Sequence, residues 1–222
     1  MNKSFLIISY LKRYKKLFSN EIFLPQSDIS KNTQSLASKE NDALIPYECI
    51  INGCKECQFN DTRSGYFFGY GDPSANLLIV DENPALERNH EGLLFLGKAG
   101  KLLDKILLAI GLSRTQNVFI VNILKCRPPN NRDPLPSEIE KYIPYMKRQI
   151  NIIKPKLILA LGKVAGKSLV EKEISLQKMR DTIFDYNGVP LKITYHPESL
   201  IKNQNLKKFA WDDFKWVKKY MG

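Results

Sequence analysis

The chain has 222 residues, enough for one sizeable domain with an appendage, and 43% of them are hydrophobic, enough for a real core. Its formal net charge of +11 favours a polyanionic partner, nucleic acid before an anionic membrane surface, unless it only reflects a biased amino-acid composition. No apolar run approaches the roughly 20 residues of a membrane span, and four cysteines are too few for a disulfide scaffold in a chain of this length, so we expect a cytoplasmic protein without a membrane partner.

The first 46 residues differ in character from the rest of the chain. Near the start of residues 1–24, one basic residue, Lys3, precedes a short apolar stretch, as in a signal peptide. However, lysines and an arginine follow that stretch at once, and no small-residue cleavage site appears. We therefore predict an amphipathic helix rather than a signal peptide. Residues 25–46 are rich in Ser, Asn, Gln and Lys and poor in large apolar residues, which predicts a flexible linker. The folded domain is predicted to comprise residues 47–222.

Short apolar runs then alternate with segments of helical periodicity. Buried strands are predicted at 76–83, 117–124 and 156–162, and helices at 98–111, 136–153, 163–172 and 206–220. In the second of these helices Ser137 is the predicted N-cap, and Pro144 is predicted to kink or break the helix. Residues 182–197 predict two strands around the turn signal Asn187-Gly188. This alternation indicates a mainly parallel sheet covered by helices on both faces.

Ligands of parallel sheets bind at the carboxyl ends of the strands, so the residues there are the first site candidates. Glu82 could act as a general base, or only cap a helix or form an ion pair. Asn122 could recognise a base edge, or only tie a loop. His196, one of two histidines, could stabilise a developing anion, although a lone histidine is usually structural. Phe95 either stacks on a planar ligand or joins the core.

The cysteines form a second candidate site. Cys54 and Cys57 make a Cys-x-x-Cys motif, Cys49 precedes them, and Cys126 is remote in sequence. Structural zinc sites and iron–sulfur clusters normally have four protein ligands, so these thiols could make a complete set. The motif alone would also fit an iron–sulfur or zinc protein with a redox or scaffold role, but the asparagine and histidine motifs would then have no purpose.

These segments together resemble the family 4 uracil-DNA glycosylases, the iron–sulfur branch of that superfamily, from about Cys54 to Gly222. The resemblance rests on five stretches in the family's order, which are GLLFLGKAGKLL, NILKCRPPNNRDPLPSEIE, PYMKRQI, PKLILALGKVAGKSL and TYHPESLIKNQNLKKFAWDDFK. It implies a three-layer α/β fold with a mainly parallel four-stranded sheet flanked by helices. It also implies hydrolysis of the N-glycosidic bond of deoxyuridine in DNA, with the target nucleotide flipped out of the stack. We expect a monomer that acts on uracil-containing DNA.

The resemblance implies a role for each candidate residue. Glu82 would position the attacking water and His196 would stabilise the departing uracil anion. Phe95 would stack on uracil, and Asn122 would read its edge and reject cytosine. Leu200 takes the place of the wedge that fills the gap left by the flipped base. The basic side chains that follow Asn122 would form a rim facing the DNA backbone, namely Lys125, Arg127 and Arg132.

The resemblance also implies a 4Fe–4S cluster, for which Cys54, Cys57 and Cys126 match three of the four ligands. The position of the fourth cysteine holds Tyr142. Either Cys49 takes its place, or a ligand other than cysteine such as the Tyr142 phenolate does, or the cluster is absent.

The first motif departs from the family pattern. The family's Gly-Glu-Ala-Pro-Gly is Asp-Glu-Asn-Pro-Ala here, from Asp81 to Ala85, so both glycines are gone and a charge is added beside an anionic leaving group. This supports an alternative hypothesis, a catalytically impaired relative that binds DNA without releasing uracil. Under that hypothesis, reverting Asp81 and Ala85 to glycine would restore activity.

Overall fold

The structure is a computed structural model, and it describes residues 68–82, 97–125 and 132–222. All of these residues fall within one unit of the chain, Glu40–Gly222. The predicted N-terminal helix and the linker lie outside the described residues, so the predicted boundaries of the helix, the linker and the domain stay predictions.

A single sheet of six strands forms the centre of the described part of the chain. Four parallel strands make its interior, and they are β2 (Leu77–Asp81), β3 (Val118–Asn122), β4 (Leu157–Leu161) and β6 (Val189–Thr194). Two short antiparallel strands close the edges: β1 (Tyr70–Gly71) beside β3, and β5 (Phe184–Tyr186) beside β6. The order is β1-β3-β2-β4-β6-β5. The predicted parallel four-stranded sheet is confirmed as this interior, and the edge strands extend it.

Helices cover both faces of the sheet. They are α1 (Gly97–Ala109), α2 (Pro136–Ile153), α3 (Gly162–Val170), α4 (Leu176–Arg180), α5 (Pro197–Lys202) and α6 (Lys207–Met221), with a 3-10 turn at Gln204–Leu206 before α6. The sequence did not predict α4 and α5, because helices this short contain too little periodicity to be recognised. Among the helices in the described ranges, none combines the length and the apolar character that crossing a bilayer requires.

Helix α2 begins differently from the prediction and is not broken by its internal proline. Its N-cap is Leu135, with Pro136 as the first helical residue, so the prediction of Ser137 as N-cap is wrong. The carboxylate of Glu138 accepts a hydrogen bond from the backbone N–H of Leu135 at 2.8 Å. This contact satisfies a donor at the helix start, the function that a capping side chain would otherwise serve. The helix continues through Pro144 to Ile153.

Alternation of side chains along the strands divides the core into two layers. Leu78 and Val80 of β2 pack in the layer that contains residues of α2 and α3. Leu77 and Ile79 pack in the other, with residues of α1 and α6. Each such buried side chain stabilises the fold by about 1.5–3 kcal/mol. By the same alternation, Asp81 at the end of β2 points toward the side of α1 and α6.

Candidate active site

The carboxyl ends of the parallel strands bring three predicted site residues to one edge of the sheet. Asn122 ends β3, Glu82 follows β2, and His196 follows β6 as the N-cap of α5. Asp81 connects them, since it pairs in register with Asn122 across β2 and β3, and its Oδ1 lies 3.0 Å from Nε2 of His196. An amide, an imidazole and two carboxyl groups therefore share one neighbourhood.

The amide of Asn122 is buried and has no hydrogen-bond partner in the described part of the chain. Only 1% of the residue is exposed, and neither Oδ1 nor Nδ2 has a partner among the described residues. Each such unmade bond costs about 1–3 kcal/mol. The backbone that carries this amide is firmly held, because the N–H of Ile123 donates to the carbonyl of Asp81 at 2.7 Å. Asn122 thus presents a buried donor and a buried acceptor that a ligand with a polar edge can satisfy.

His196 is held by its Nδ1 atom. The backbone N–H of Glu198 donates to Nδ1 at 3.1 Å and caps the start of α5. A ring nitrogen that accepts a hydrogen bond carries no proton, so the neutral imidazole carries its proton on Nε2. Burial lowers the pKa of His196, but the carboxylates of Asp81, Glu198 and Glu82 outweigh it and raise the pKa above its ordinary value. Nε2 is the nitrogen that can act on a ligand.

Gly162 leaves the space that His196 occupies. It begins α3 with φ of +87°, a conformation that residues with a side chain rarely adopt. A Cβ at this position would lie 3.1 Å from Cβ of His196, which is tight for two carbon atoms. No sequence motif predicts a role for this glycine, because nothing in the sequence shows that the start of α3 faces the residue after β6.

Glu82 lies in surroundings that favour its protonated form. Burial raises the pKa of its carboxyl group to about 7, and the negative charge of Asp81 adds to this, while the charge of His196 opposes it. A carboxyl group that titrates near neutral pH can accept and return a proton during a reaction. The predicted role of Glu82 as a general base is chemically consistent with this environment.

Asp81, which the sequence marked only as a departure from the family pattern, is buried at the centre of the site. Its Oδ1 has no hydrogen-bond partner with good alignment among the described residues, although Nε2 of His196 is only 3.0 Å away. This contact joins the carboxylate of Asp81 to the imidazole and contributes to the raised pKa of His196. A ligand that accepts a hydrogen bond from Nε2 would have to replace Asp81 there.

Lys125 does not face the surroundings, and the prediction that it contacts the DNA backbone is wrong. Its side chain is fully buried. Nζ donates to Oε1 of Gln149 at 2.6 Å and to the carbonyl of Asn122 at 2.9 Å. Burial lowers the pKa of this lysine to about 7. The basic residues in this part of the sequence predicted an exposed side chain, but the hydrogen bonds of Lys125 connect the end of β3 to α2.

Leu200 is buried as well, which contradicts its predicted role as a wedge. Only 1% of it is exposed, whereas the next residue, Ile201, is 41% exposed. The physical reason is that α5 packs against α1, and the fourth residue after His196 falls on the inner face of that short helix. Ile201 is the large apolar side chain that α5 presents outward.

Arg132 is engaged within the protein. Its guanidinium binds both carboxylate oxygens of Glu138, at 2.8 Å and 2.5 Å, and donates to the carbonyl of Asp133. The side chain remains partly exposed. Its predicted contact with the DNA backbone stays a prediction.

A buried network of charges supports the strand that leads to His196. Asp213 of α6 accepts from Nε of Arg180 at 2.8 Å and from the hydroxyl of Thr194 at 2.7 Å. The guanidinium of Arg180 lies 4.5 Å over the ring of Tyr195. Lys192 donates to the carbonyl of Arg180, and its Nζ lies 3.6 Å from Oδ1 of Asp213. No sequence pattern predicts this network, because its members meet only in the folded chain.

The remaining predicted site residues lie outside the described residues, namely Phe95, Arg127, Cys49, Cys54, Cys57 and Cys126. Tyr142, the described candidate for a cluster ligand, is buried on α2 in an apolar cluster, with the ring of Tyr145 6.3 Å away. Within the described ranges, no three His, Cys, Asp or Glu side chains are grouped so as to hold a metal ion.

Comparison with known proteins places this geometry in context. Residues 68–215 match the model of the uracil DNA glycosylase superfamily. A type-4 uracil-DNA glycosylase of Sulfurisphaera tokodaii is 39% identical over 186 residues, covering 80% of this chain and 84% of the relative. The enzyme of the same name from Archaeoglobus fulgidus is 35% identical, covering 78% and 90%. A third, from Thermotoga maritima, is 34% identical, covering 77% and 91%.

Proposed function

Because this chain belongs to the type-4 uracil-DNA glycosylases of the uracil DNA glycosylase superfamily, we propose that it hydrolyses the N-glycosidic bond of deoxyuridine in DNA. The products are free uracil and an abasic site, the first step of base excision repair. Uracil-containing DNA is the proposed substrate, with the target nucleotide flipped out of the stack.

The observation that carries this proposal is the unpartnered amide of Asn122. Its Oδ1 and Nδ2 are buried and free of hydrogen bonds within the described residues. The edge of uracil offers a donor at N3 and an acceptor at O4, which an amide complements. Cytosine presents the opposite groups at these two positions, so it would leave the buried amide unpaired. Asn122 would therefore both bind uracil and reject cytosine.

Glu82 and His196 supply the chemistry in this proposal. Water attacks C1′ of the sugar and gives a proton to the carboxylate of Glu82, while the bond from C1′ to N1 of uracil breaks. The electron pair of that bond leaves with the base as a uracil anion, and Nε2–H of His196 donates a hydrogen bond to its oxygen. The pKa of Glu82, about 7, supports this role because part of the population is ionised at neutral pH.

Three further contacts complete the proposed DNA complex. Phe95 would stack on the flipped uracil. Arg127 and Arg132 would contact the phosphate backbone, which Arg132 reaches with the part of its side chain that is exposed beyond its pair with Glu138. Ile201 would fill the gap in the duplex in place of Leu200, since it is the exposed apolar residue of α5. We expect the protein to act as a monomer.

We further propose that Cys54, Cys57 and Cys126 hold a 4Fe–4S cluster with Cys49 as the fourth ligand. Cys49 is the remaining cysteine of the chain, and thiolates are the usual ligands of iron–sulfur clusters. When bound, the cluster would hold the segment of the first three cysteines against the loop that follows β3. Its thiolates require a reducing compartment, which supports a cytoplasmic location.

Spectroscopy and iron analysis of the purified protein test the cluster. We expect visible absorption and about four iron atoms per chain, both lost in the variant Cys49→Ser and kept in the variant Tyr142→Phe. Full iron content in Cys49→Ser together with its loss in Tyr142→Phe would reverse the assignment of the fourth ligand.

A base-release assay tests the function itself. The purified chain is mixed in excess with an oligonucleotide that contains one uracil, and abasic sites are detected by alkaline strand cleavage. We expect cleavage at the uracil position, none with a cytosine control, and none in the variant His196→Ala. DNA binding without base release, by a protein with an intact fold, would favour the impaired relative instead.

A further inference from the structure

The contact between Asp81 and His196 places a carboxylate where a ligand would have to bind. Nδ1 of His196 is occupied by the backbone N–H of Glu198. Nε2 is thus the nitrogen through which the neutral imidazole can donate, and a ligand oxygen that accepts from it would lie about 2.7–3.2 Å away. Oδ1 of Asp81 lies 3.0 Å from Nε2. The protein's own side chain therefore occupies the distance at which an acceptor on the base would meet the imidazole.

The charges around this contact are mostly negative. Asp81 and Glu198 raise the pKa of His196, and Glu82, beside Asp81, is also affected by Asp133. No lysine or arginine side chain in the described ranges pairs with Asp81 within ion-pair distance. A base that leaves as an anion would thus meet a carboxylate that, within the described ranges, forms an ion pair with the imidazole and with no lysine or arginine.

We propose that Asp81 is a positioning residue that restrains base release, because its carboxylate holds Nε2 of His196 and repels the anionic base. This inference rests on the proposed function. The base gains the hydrogen bond of Nε2 only when it displaces Asp81 from the imidazole. Nε2 and Oδ1 of Asp81 are 3.0 Å apart, and the burial of Asp81 keeps the carboxylate in place until the base displaces it.

Single-turnover base release in the variants Asp81→Asn and Asp81→Ala tests the restraint. The asparagine keeps the shape of the side chain and removes its charge, while the alanine removes both. We expect each variant to release uracil at least about tenfold faster than the native chain, because the repulsion of the leaving anion is gone. The variant Asp212→Asn is the control for general charge effects, since Asp212 is exposed and pairs with Lys215 on the surface of α6, and we expect its rate to change less than about twofold.

Nuclear magnetic resonance of the imidazole provides a second readout that does not depend on activity. The chain has two histidines, and the variant His90→Gln assigns their signals. We expect the pKa of His196 to fall in Asp81→Asn and to stay unchanged in Asp212→Asn. An equal or slower rate in both Asp81 variants that fold, or an unchanged pKa of His196, would overturn the inference.

The two readouts also separate this inference from the proposed function. If neither the native chain nor any variant releases uracil, the glycosylase proposal fails. A fall in the pKa of His196 in Asp81→Asn would then still support the contact between Asp81 and the imidazole. An unchanged pKa would refute it.

Discussion

Two buried polar clusters lie near the carboxyl end of β6, and they differ in how completely their groups are paired. In the network of Arg180, Lys192, Thr194 and Asp213, the aspartate has contacts to two cations and a hydroxyl. In the site, both amide atoms of Asn122 and Oδ1 of Asp81 lack an aligned hydrogen-bond partner in the described part of the chain. The first cluster is a scaffold, and the second is incomplete until something binds.

This difference in pairing indicates that one cluster serves stability and the other serves function. A paired network stabilises the fold relative to any state in which one partner is missing, because the remaining charge would stay buried. An unpaired amide costs stability and persists because the surrounding backbone holds it. Removal of a polar group should therefore destabilise the scaffold and leave the stability of the site unchanged or improved.

The largest effect is expected from the variant Asp213→Ala. It leaves Arg180 and Lys192 without their carboxylate, so we expect a loss of about 3–5 kcal/mol in the free energy of unfolding. Urea denaturation measures it. The matched control is Asp212→Ala, since Asp212 is exposed and pairs with Lys215 on the surface, and its expected loss is below about 1 kcal/mol. Similar losses in both variants would contradict the scaffold role.

The variant Asn122→Leu is expected to abolish activity without destabilising the fold. It removes the amide that would bind uracil, so base release should fall at least about 100-fold while stability stays equal or rises. The control is Gln149→Leu, an equally buried amide that accepts from Lys125 and donates to the carbonyl of Phe68. There we expect a loss of about 2–3 kcal/mol. A large loss of stability in Asn122→Leu would show that its amide is structural.

The variant Gly162→Ala should disturb the site through one side chain. Its Cβ would press on Cβ of His196, so we expect base release to fall roughly 10- to 100-fold by misplacement of the imidazole. The control is Gly188→Ala, where φ is +85° and nothing lies within 4 Å of the added carbon. Both variants carry the same backbone strain, about 1 kcal/mol. Only the first should lose activity in the assay, and equal activities would exclude contact with His196 as the cause.

The smallest effect concerns the contribution of Glu82 to the pH dependence of stability. Its pKa in the folded chain, about 7, lies above its ordinary value of 4.5, so the native state binds this proton more tightly than the unfolded state. That contribution is complete below pH 4.5 and is lost as the pH rises through 7. The variant Glu82→Gln should therefore be more stable than the native chain at pH 8 by about 1–2 kcal/mol, after allowance for solvent screening.

Ionisation of Glu82 at high pH should raise the rate of base release, although it lowers the stability of the fold. Base release by the native chain should rise with pH through about 7, as the carboxylate that accepts the proton of water forms. Stopped time courses between pH 5.5 and 8.5 measure this dependence, and Glu82→Gln should release almost no base at any pH. A rate that is flat across this range would exclude Glu82 as the base.

Sequence patterns were sufficient for the interior of the fold. The strands β2, β3 and β4 are continuous runs of apolar residues, and such runs have few alternatives to burial in a parallel sheet. The turn at Asn187-Gly188 was predictable because both residues adopt positive φ there. The edge strand β1 and the helices α4 and α5 are too short to leave a periodic signal, so only long-range contacts define them.

For the site, the sequence by itself determined the candidate residues and the family, because Glu82, Asn122 and His196 stand at strand ends in recognisable motifs. Tertiary structure decided which charged and apolar side chains are buried. Lys125 and Leu200 have surface-like neighbours in the sequence, yet the packing of α2 and α5 encloses them. The contact of Asp81 with His196 was likewise decided by the fold, since residues 115 positions apart meet only when the ends of β2 and β6 reach one edge of the sheet.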